Sequence, residues 1–191
     1  MKADQKRWNT RFGRKEFALG KEPNPFLKKH IHLLPRGRAL DIATGEGRNA
    51  VFLAQNGFEV DAVDISQKGL KKAQALAREK GVNINTFLVD LDQYHMPKEQ
   101  YDLIANFYFL KRRLIPRIRN GLKKGGKVIF ETYILEHMTL GKGGPKQAKY
   151  FLKPNEALRL FKTFRIRFYR ERISSEGGRR KAVASLIAEK I

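Results

Sequence analysis

From residue 36 onward, short apolar runs alternate with amphipathic stretches. Ala39-Leu40-Asp41-Ile42-Ala43 stands between Gly37 and Gly45, the pattern of a strand buried on both faces of a parallel sheet. A helix is predicted next, with apolar positions Val51, Phe52 and Leu53 and a stop signal at Asn56-Gly57. Glu59 to Asp64 reads as a second strand, and Ser66 as the N-cap of a helix running through Leu70 and Leu76 to Gly81. Further strands are predicted around 86–89, at 101–105 and at 127–131, with a helix near Leu110 to Leu122. Strands alternating with helices need right-handed crossovers, so their neighbours run parallel in a doubly wound α/β sheet.

The two ends follow other patterns. Residues 1–35 read as helical pieces around a turn: Trp8 and Phe12 are four apart, Gly20 interrupts, and Asn24-Pro25 caps a helix from Phe26 to Leu34 that Pro35 stops. Near the other end, a helix capped by Asn155 precedes two strand-like runs, Thr163 to Arg172 and Arg180 to Lys190, around Ser174-Ser175-Glu176-Gly177-Gly178. Such a pair forms a hairpin, so the last strand is expected antiparallel to the rest. Phe164, Ile166 and Phe168 fall on one strand face and are expected in the core. With no repeat and no linker, residues 1–191 read as one domain: a helical segment over 1–35 and a core over 36–191.

Charge adds a constraint. Lys and Arg number 40 against 19 Asp and Glu, a formal net charge of +21 at pH 7, so the surface field attracts anions such as oxyanions, phosphorylated molecules or a nucleic-acid backbone. With no Cys, a disulfide framework, a Cys-ligated zinc site, an iron–sulfur cluster and a thiol nucleophile are excluded together. No apolar run approaches the roughly 20 residues of a membrane span, and the first residues lack the apolar core of a secretion signal. A cytoplasmic location without a membrane partner is the expectation. His30 and His32, two apart, do not share a helix face, and no metal is expected.

The strongest chemical signal is Asp41-Ile42-Ala43-Thr44-Gly45-Glu46-Gly47-Arg48-Asn49-Ala50, between a predicted strand and a predicted helix. Glycines there let a ligand approach the backbone, and the helix start offers unpaired N–H groups. Asp64 ends the second strand, where an acidic side chain accepts hydrogen bonds from ribose hydroxyls. Asp90 followed by Leu91, after the third strand, can take an adenine amino group and ring nitrogen. All three acidic positions fall on the edge where crevices of such sheets open. Dinucleotide enzymes compete for this pattern, but they use two mononucleotide halves and a substrate domain. Asp41 ahead of the glycines suits a cofactor bearing an ammonium group, such as S-adenosylmethionine, better than a pyrophosphate.

At these residues the sequence resembles the class I S-adenosylmethionine-dependent methyltransferases, and within them the tellurite-resistance, TehB-like group. The stretches are Trp8-Asn9-Thr10-Arg11-Phe12, Pro23-Asn24-Pro25-Phe26-Leu27, Gly45-Glu46-Gly47-Arg48-Asn49-Ala50, Val63-Asp64-Ile65-Ser66, Tyr101-Asp102-Leu103-Ile104 and Phe130-Glu131-Thr132-Tyr133. The resemblance implies a three-layer, Rossmann-like, seven-stranded sheet whose sixth and seventh strands form the hairpin, with the N-terminal segment as a lid. It implies S-adenosylmethionine held by Asp41, Ala43, Thr44, Gly45, Glu46, Gly47, Asn49, Asp64, Ile65, Asp90, Leu91, Asn106 and Phe107. One departure is visible: Ala43-Thr44 stand where the family usually carries Gly then Cys.

Methyl transfer from a sulfonium is an in-line displacement that alignment and water exclusion accelerate, without an obligatory base. Tyr108, Tyr133 and His137, a surface histidine on this reading, are the candidates for lining the methyl-receiving side, and Gly141 to Lys146 is a second, cationic lid candidate. The expected acceptor is a small molecule, anionic or a soft nucleophile of the tellurite or selenite kind. The basic stretches at 111–127 and 165–181 keep an RNA methyltransferase as the alternative, with a non-catalytic RNA-binding module third.

Overall fold

The computed structural model describes residues 2–140, 143–176 and 179–191, with side chains described except at 174–176 and 179. Gly141-Lys142 of the cationic loop and Gly177-Gly178 of the hairpin turn lie outside the described residues. In chain order the elements are α1 (Lys2–Phe12), α2 (Pro25–His30), β1 (Arg38–Ile42), α3 (Arg48–Gln55), β2 (Glu59–Asp64), α4 (Gln67–Glu79), β3 (Asn85–Leu88) and β4 (Tyr101–Phe107). They continue with α5 (Ile115–Gly121), β5 (Leu122–Tyr133), α6 (Glu156–Leu160), β6 (Phe164–Glu176) and β7 (Arg179–Lys190). Seven strands form one sheet in the order β3-β2-β1-β4-β5-β7-β6. The first five are parallel, and β7 runs antiparallel between β5 and β6.

The caps follow from sequence. Asn24 accepts from the Phe26 amide at 2.7 Å and starts α2, with Pro25 supplying a fixed φ and no orphan donor. Ser66 caps α4 by accepting from the Gly69 amide at 3.1 Å. The sheet is buried on both faces. Leu40, Ile42, Ile104, Val128 and Phe130 pack with Ile118, Leu152 and Phe161 on one side. Ala39, Leu103, Ala105, Ile129 and Ile187 pack with Phe26, Leu27 and Leu53 on the other. Burying large aliphatic and aromatic side chains at about 1.5–3 kcal/mol each is what holds the layers together.

Two expectations are corrected. The helix expected from Leu110 to Leu122 is only α5, entered through a 3-10 turn at Arg112–Leu114. Proline is tolerated only in the first turn of a helix, so a helix through Pro116 cannot begin as far back as Leu110. Phe164, Ile166 and Phe168 do not share a face either. Phe164 and Ile166 pack on the α5 side, whereas Phe168 lies against Phe26 and His30 on the α2 side. The β6–β7 register shifts between Ile166 and Phe168, and one extra residue in a strand inverts the alternation beyond it.

Candidate functional site

The site is built at the carboxyl ends of β1, β2 and β4. Ile42 pairs with Val63 and with Asn106, so Asp41, Asp64 and Asn106 reach the same edge. Asp41 is 1% exposed and accepts from the Thr44 hydroxyl at 2.6 Å. Burial pushes its pKa from 3.8 up to about 7 and the charge of Asp64 pushes the same way, while Thr44 and Arg48 oppose the rise. After β1 the chain reverses through left-handed residues: Ala43 at φ 54, Gly45 at φ 59 and Gly47 at φ 82. At Gly47 a Cβ would also lie 2.8 Å from the Ala73 Cα in α4, so glycine is required there twice over.

The glycine turn is tied to β2. The two carboxylate oxygens of Asp64 accept from the Gly45 amide at 2.8 Å and the Ser66 amide at 2.7 Å. Burial raises the pKa of this group, and those amide bonds oppose the rise. The Ile65 amide adds a third backbone hydrogen bond, and a carboxylate with about four acceptor sites keeps capacity for a ligand. The half-buried Ile65 follows it. Asn106, 2% exposed, has a buried Oδ1 with no hydrogen-bond partner among the described residues, an acceptor whose desolvation calls for a donor. Phe107, 7% exposed, belongs to the apolar cluster beside it. Asp90 lies just beyond β3, half-buried, its Oδ1 accepting from the Asp92 amide at 2.9 Å, and Leu91 packs into the core. Asp92 instead pairs with Lys111 and Arg113, which hold its carboxyl below the usual range.

Two residues assigned to the cofactor from sequence are engaged elsewhere. Glu46 accepts from the Ala18 amide and the Lys72 ammonium, both at 2.7 Å, and Asn49 Oδ1 accepts from the Asn24 amide at 2.8 Å. Both hold the N-terminal segment against α3 and α4. Phe12 of α1 lies over the glycine turn, with a ring carbon 3.1 Å from the position of a Gly45 Cβ, and Trp8 stacks on Phe12 at 5.3 Å.

The second half of the site lies past β4 and β5. Tyr108, at φ 57, faces Tyr133 with ring centroids 4.9 Å apart, and Tyr133 stacks on His137 at 4.2 Å. His137 is 3% exposed, which corrects the expectation of a surface histidine. Its Nδ1 accepts from the Ala182 amide at 3.3 Å, which leaves Nε2 to donate to the Gly143 carbonyl at 3.3 Å. Burial lowers its pKa, the Lys181 charge adds to that, and the Gly143 carbonyl opposes it. Both ring nitrogens are spent on backbone, so His137 is a strut of this corner, not a free base. Strand register brings Arg170 and Arg172 onto the face that carries Glu131 and Tyr133, through Ser185 and Val183 of β7. Lys181 Nζ lies 5.6 Å from the Tyr108 ring centroid.

A family model described as Tellurite resistance protein TehB matches residues 20–176, the span that carries the cradle. The chain belongs to the TehB family. It is 29% identical over 90 residues to a protein of Haemophilus influenzae named a probable S-adenosyl-L-methionine-dependent methyltransferase TehB, a stretch covering 46% of this chain and 31% of that one. A ubiquinone biosynthesis O-methyltransferase of Idiomarina loihiensis is 26% identical over 155 residues, covering 71% of this chain and 63% of that protein. The crystal structure of the Haemophilus influenzae TehB superposes with a TM-score of 0.71 at 20% identity, covering 87% of this chain and 61% of that one. The matched stretches thus span from about a third to just under two thirds of these relatives. The fold is the Rossmann-like fold of S-adenosylmethionine-dependent methyltransferases.

Sequence reasoning found the glycine turn and the acidic edge of this TehB-family chain but missed Arg170, Arg172 and Glu131 of the site's second half, and with them Ser185, the strand residue that supports Glu131 from behind. Arg170 and Arg172 were visible only as part of a charge run, and Glu131 and Ser185 only as polar residues inside strands. The one signal for the last two was a buried polar position in an otherwise apolar run, since such groups need partners.

Proposed function

We propose that this chain is an S-adenosylmethionine-dependent methyltransferase acting on a small, anionic or otherwise soft nucleophile. The observation that carries the acceptor class is the cationic and aromatic corner past β4 and β5. There Arg170 and Arg172 each leave a buried Nε without a hydrogen-bond partner among the described residues, on the sheet face of Tyr133 and Glu131. Burial first, then the neighbouring Arg172, lowers the pKa of Arg170, so an anion settling there would relieve both guanidinium groups.

The acceptor set of the cradle fits the cofactor: its carboxylates are hydrogen-bonded by backbone amides and a hydroxyl with acceptor capacity to spare, and Asn106 Oδ1 has no partner among the described residues. Asp41 would face the ammonium, Asp64 the ribose hydroxyls, Asp90 and Leu91 the adenine, and Asn106 Oδ1 a further donor. S-adenosylmethionine supplies a methyl group activated on a sulfonium. The protein's share is alignment and water exclusion: Phe12 and the N-terminal segment cover the glycine turn, and the Tyr108–Tyr133 pair walls the receiving side. A soft anion brings its own lone pair, which suits a corner whose histidine is held neutral at both nitrogens.

Much of the basic stretch that kept an RNA acceptor as the alternative is used internally. Arg112 binds Glu156 and two backbone carbonyls, Arg117 binds the carbonyls of Leu91, Asp92 and Tyr94, and Lys123 binds Asp102. Calorimetry with S-adenosylmethionine tests the cofactor: wild type binds, and Asp64→Ala weakens binding more than Asp92→Ala. Equal effects would discard the ribose assignment. Headspace detection of dimethyl selenide or dimethyl telluride, from selenite or tellurite reduced by an added excess of thiol to the selenide or telluride level before methyl transfer, tests the acceptor. Filter binding to RNA with steep salt dependence would favour the alternative.

A further inference from the structure

One buried carboxylate joins the two halves of the site. Glu131, at the carboxyl end of β5, is 4% exposed, and three donors converge on it. Its Oε1 accepts from the Asn24 side-chain amide at 2.8 Å and from the Tyr108 hydroxyl at 3.0 Å, and its Oε2 accepts from the Ser185 hydroxyl at 2.7 Å. Its main-chain carbonyl also accepts from the Tyr108 amide at 2.8 Å. Tyr108 is therefore gripped at both backbone and ring, which accounts for a bulky residue resting at φ 57, a conformation that persists only where the surroundings impose it.

Asn24 continues the chain of contacts in the other direction. It is 0% exposed, and its amide nitrogen donates to Asn49 Oδ1 near the start of α3, the helix that follows the glycine turn. The residues just before it, Arg14 to Lys21, are mostly exposed. That stretch is held by Ala18 on Glu46, by the Glu16 carbonyl on Lys72 and by the Leu19 carbonyl on Arg48. A continuous hydrogen-bonded path thus runs from α3 through Asn49, Asn24 and Glu131 to Tyr108.

We propose that Glu131 is a positioning residue: its carboxylate latches the N-terminal segment over the cofactor cradle and, through the same oxygen, fixes the Tyr108 wall on the methyl-receiving side. A carboxylate suits the task because it accepts from all three donors without offering one. The inference rests on the cradle assignment made above, and the experiment separates the two.

S-adenosylhomocysteine is titrated by calorimetry into wild type, Glu131→Ala, Glu131→Gln, Ser185→Ala and Asp64→Ala. In parallel, limited trypsin digestion follows cleavage after Arg14, Lys15 and Lys21, with a thermal melt as the measure of global folding. Glu131→Ala is expected to weaken S-adenosylhomocysteine by about tenfold, within the range couplings between sites reach, and to speed cleavage at those three bonds. Glu131→Gln is expected to restore both readouts towards wild type, because an amide oxygen still accepts from Asn24 and Tyr108. Ser185→Ala removes a hydrogen bond from the same carboxylate but leaves the latch, so it should lower the melt without moving affinity or cleavage. The proposal is overturned if Glu131→Ala binds and digests as wild type, or if Ser185→Ala reproduces its effects, which is what a merely structural carboxylate predicts. Wild type failing to bind, or Asp64→Ala binding normally, would instead overturn the cradle assignment.

Discussion

Replacing Asp41 by Asn should make the ligand-free protein more stable, by an amount that grows with pH. Asp41 is 1% exposed, and burial carries its pKa from 3.8 to about 7. The sign follows from linkage. The folded state binds the proton more tightly than the unfolded chain, so this group's contribution is fully present below the unfolded pKa and is lost as pH rises towards and through about 7. At about 1.4 kcal/mol per pKa unit, the complete loss is about 4 kcal/mol. Roughly 2–3 kcal/mol of it falls between about pH 5 and about pH 8. Asn matches the shape and still accepts from the Thr44 hydroxyl, but it never ionises. For a chain of this length, about 2–4 °C per kcal/mol converts the difference to about 5–10 °C in Tm. Melts of both proteins across that range are the assay, and only the change in their difference with pH counts, since any constant offset belongs to packing. A difference that stays flat would refute the reasoning. The same carboxyl gives a binding signature: if its ionised form receives the cofactor's ammonium, S-adenosylmethionine binding below about pH 7 releases a proton. Calorimetry in two buffers of different ionisation enthalpy measures that release.

Three further outcomes are expected. Gly47→Ala places a Cβ against Ala73 at a residue with φ 82 and should cost about 2–4 kcal/mol in denaturant melts, from left-handed strain and overpacking together. Arg112→Lys exchanges a two-point grip on Glu156, at 2.6 and 2.9 Å, for a point charge; with the guanidinium partly exposed, the loss should be about 1 kcal/mol by urea titration. Because burial lowers the pKa of His137, its stabilising contribution is present above the unfolded value and disappears as pH falls through the folded one. His137→Phe should therefore flatten the acid limb of the stability profile, and an unchanged limb in urea midpoints would exclude that account.

The parallel half of the fold could be read along the chain because its signals are local. An apolar run, two glycines and a carboxylate at the end of the next strand suffice to place β1, the turn and Asp64 at one edge. What escaped depends on residues far apart or on a single inserted position. The bulge near Arg167 moves Phe168 to the opposite face, and nothing in the local pattern marks it. Glu131 meets Asn24 across 107 positions of sequence. His137 resembles a loop histidine until Ala182 and Gly143 close on it. The length of α5 was open to a stricter reading, since Pro116 limits where that helix can begin.

The placement of β7 between β5 and β6 has a consequence for how the molecule is made. Both flanking strands leave the ribosome before the one that joins them, so β5 waits with a bare edge and its apolar neighbours uncovered. The seam closes only when the antiparallel pair of β6 and β7 docks its β7 edge onto β5, which makes sheet completion a late, long-range event. Nascent chains halted before residue 179 would therefore be the forms of this protein most in need of chaperone protection.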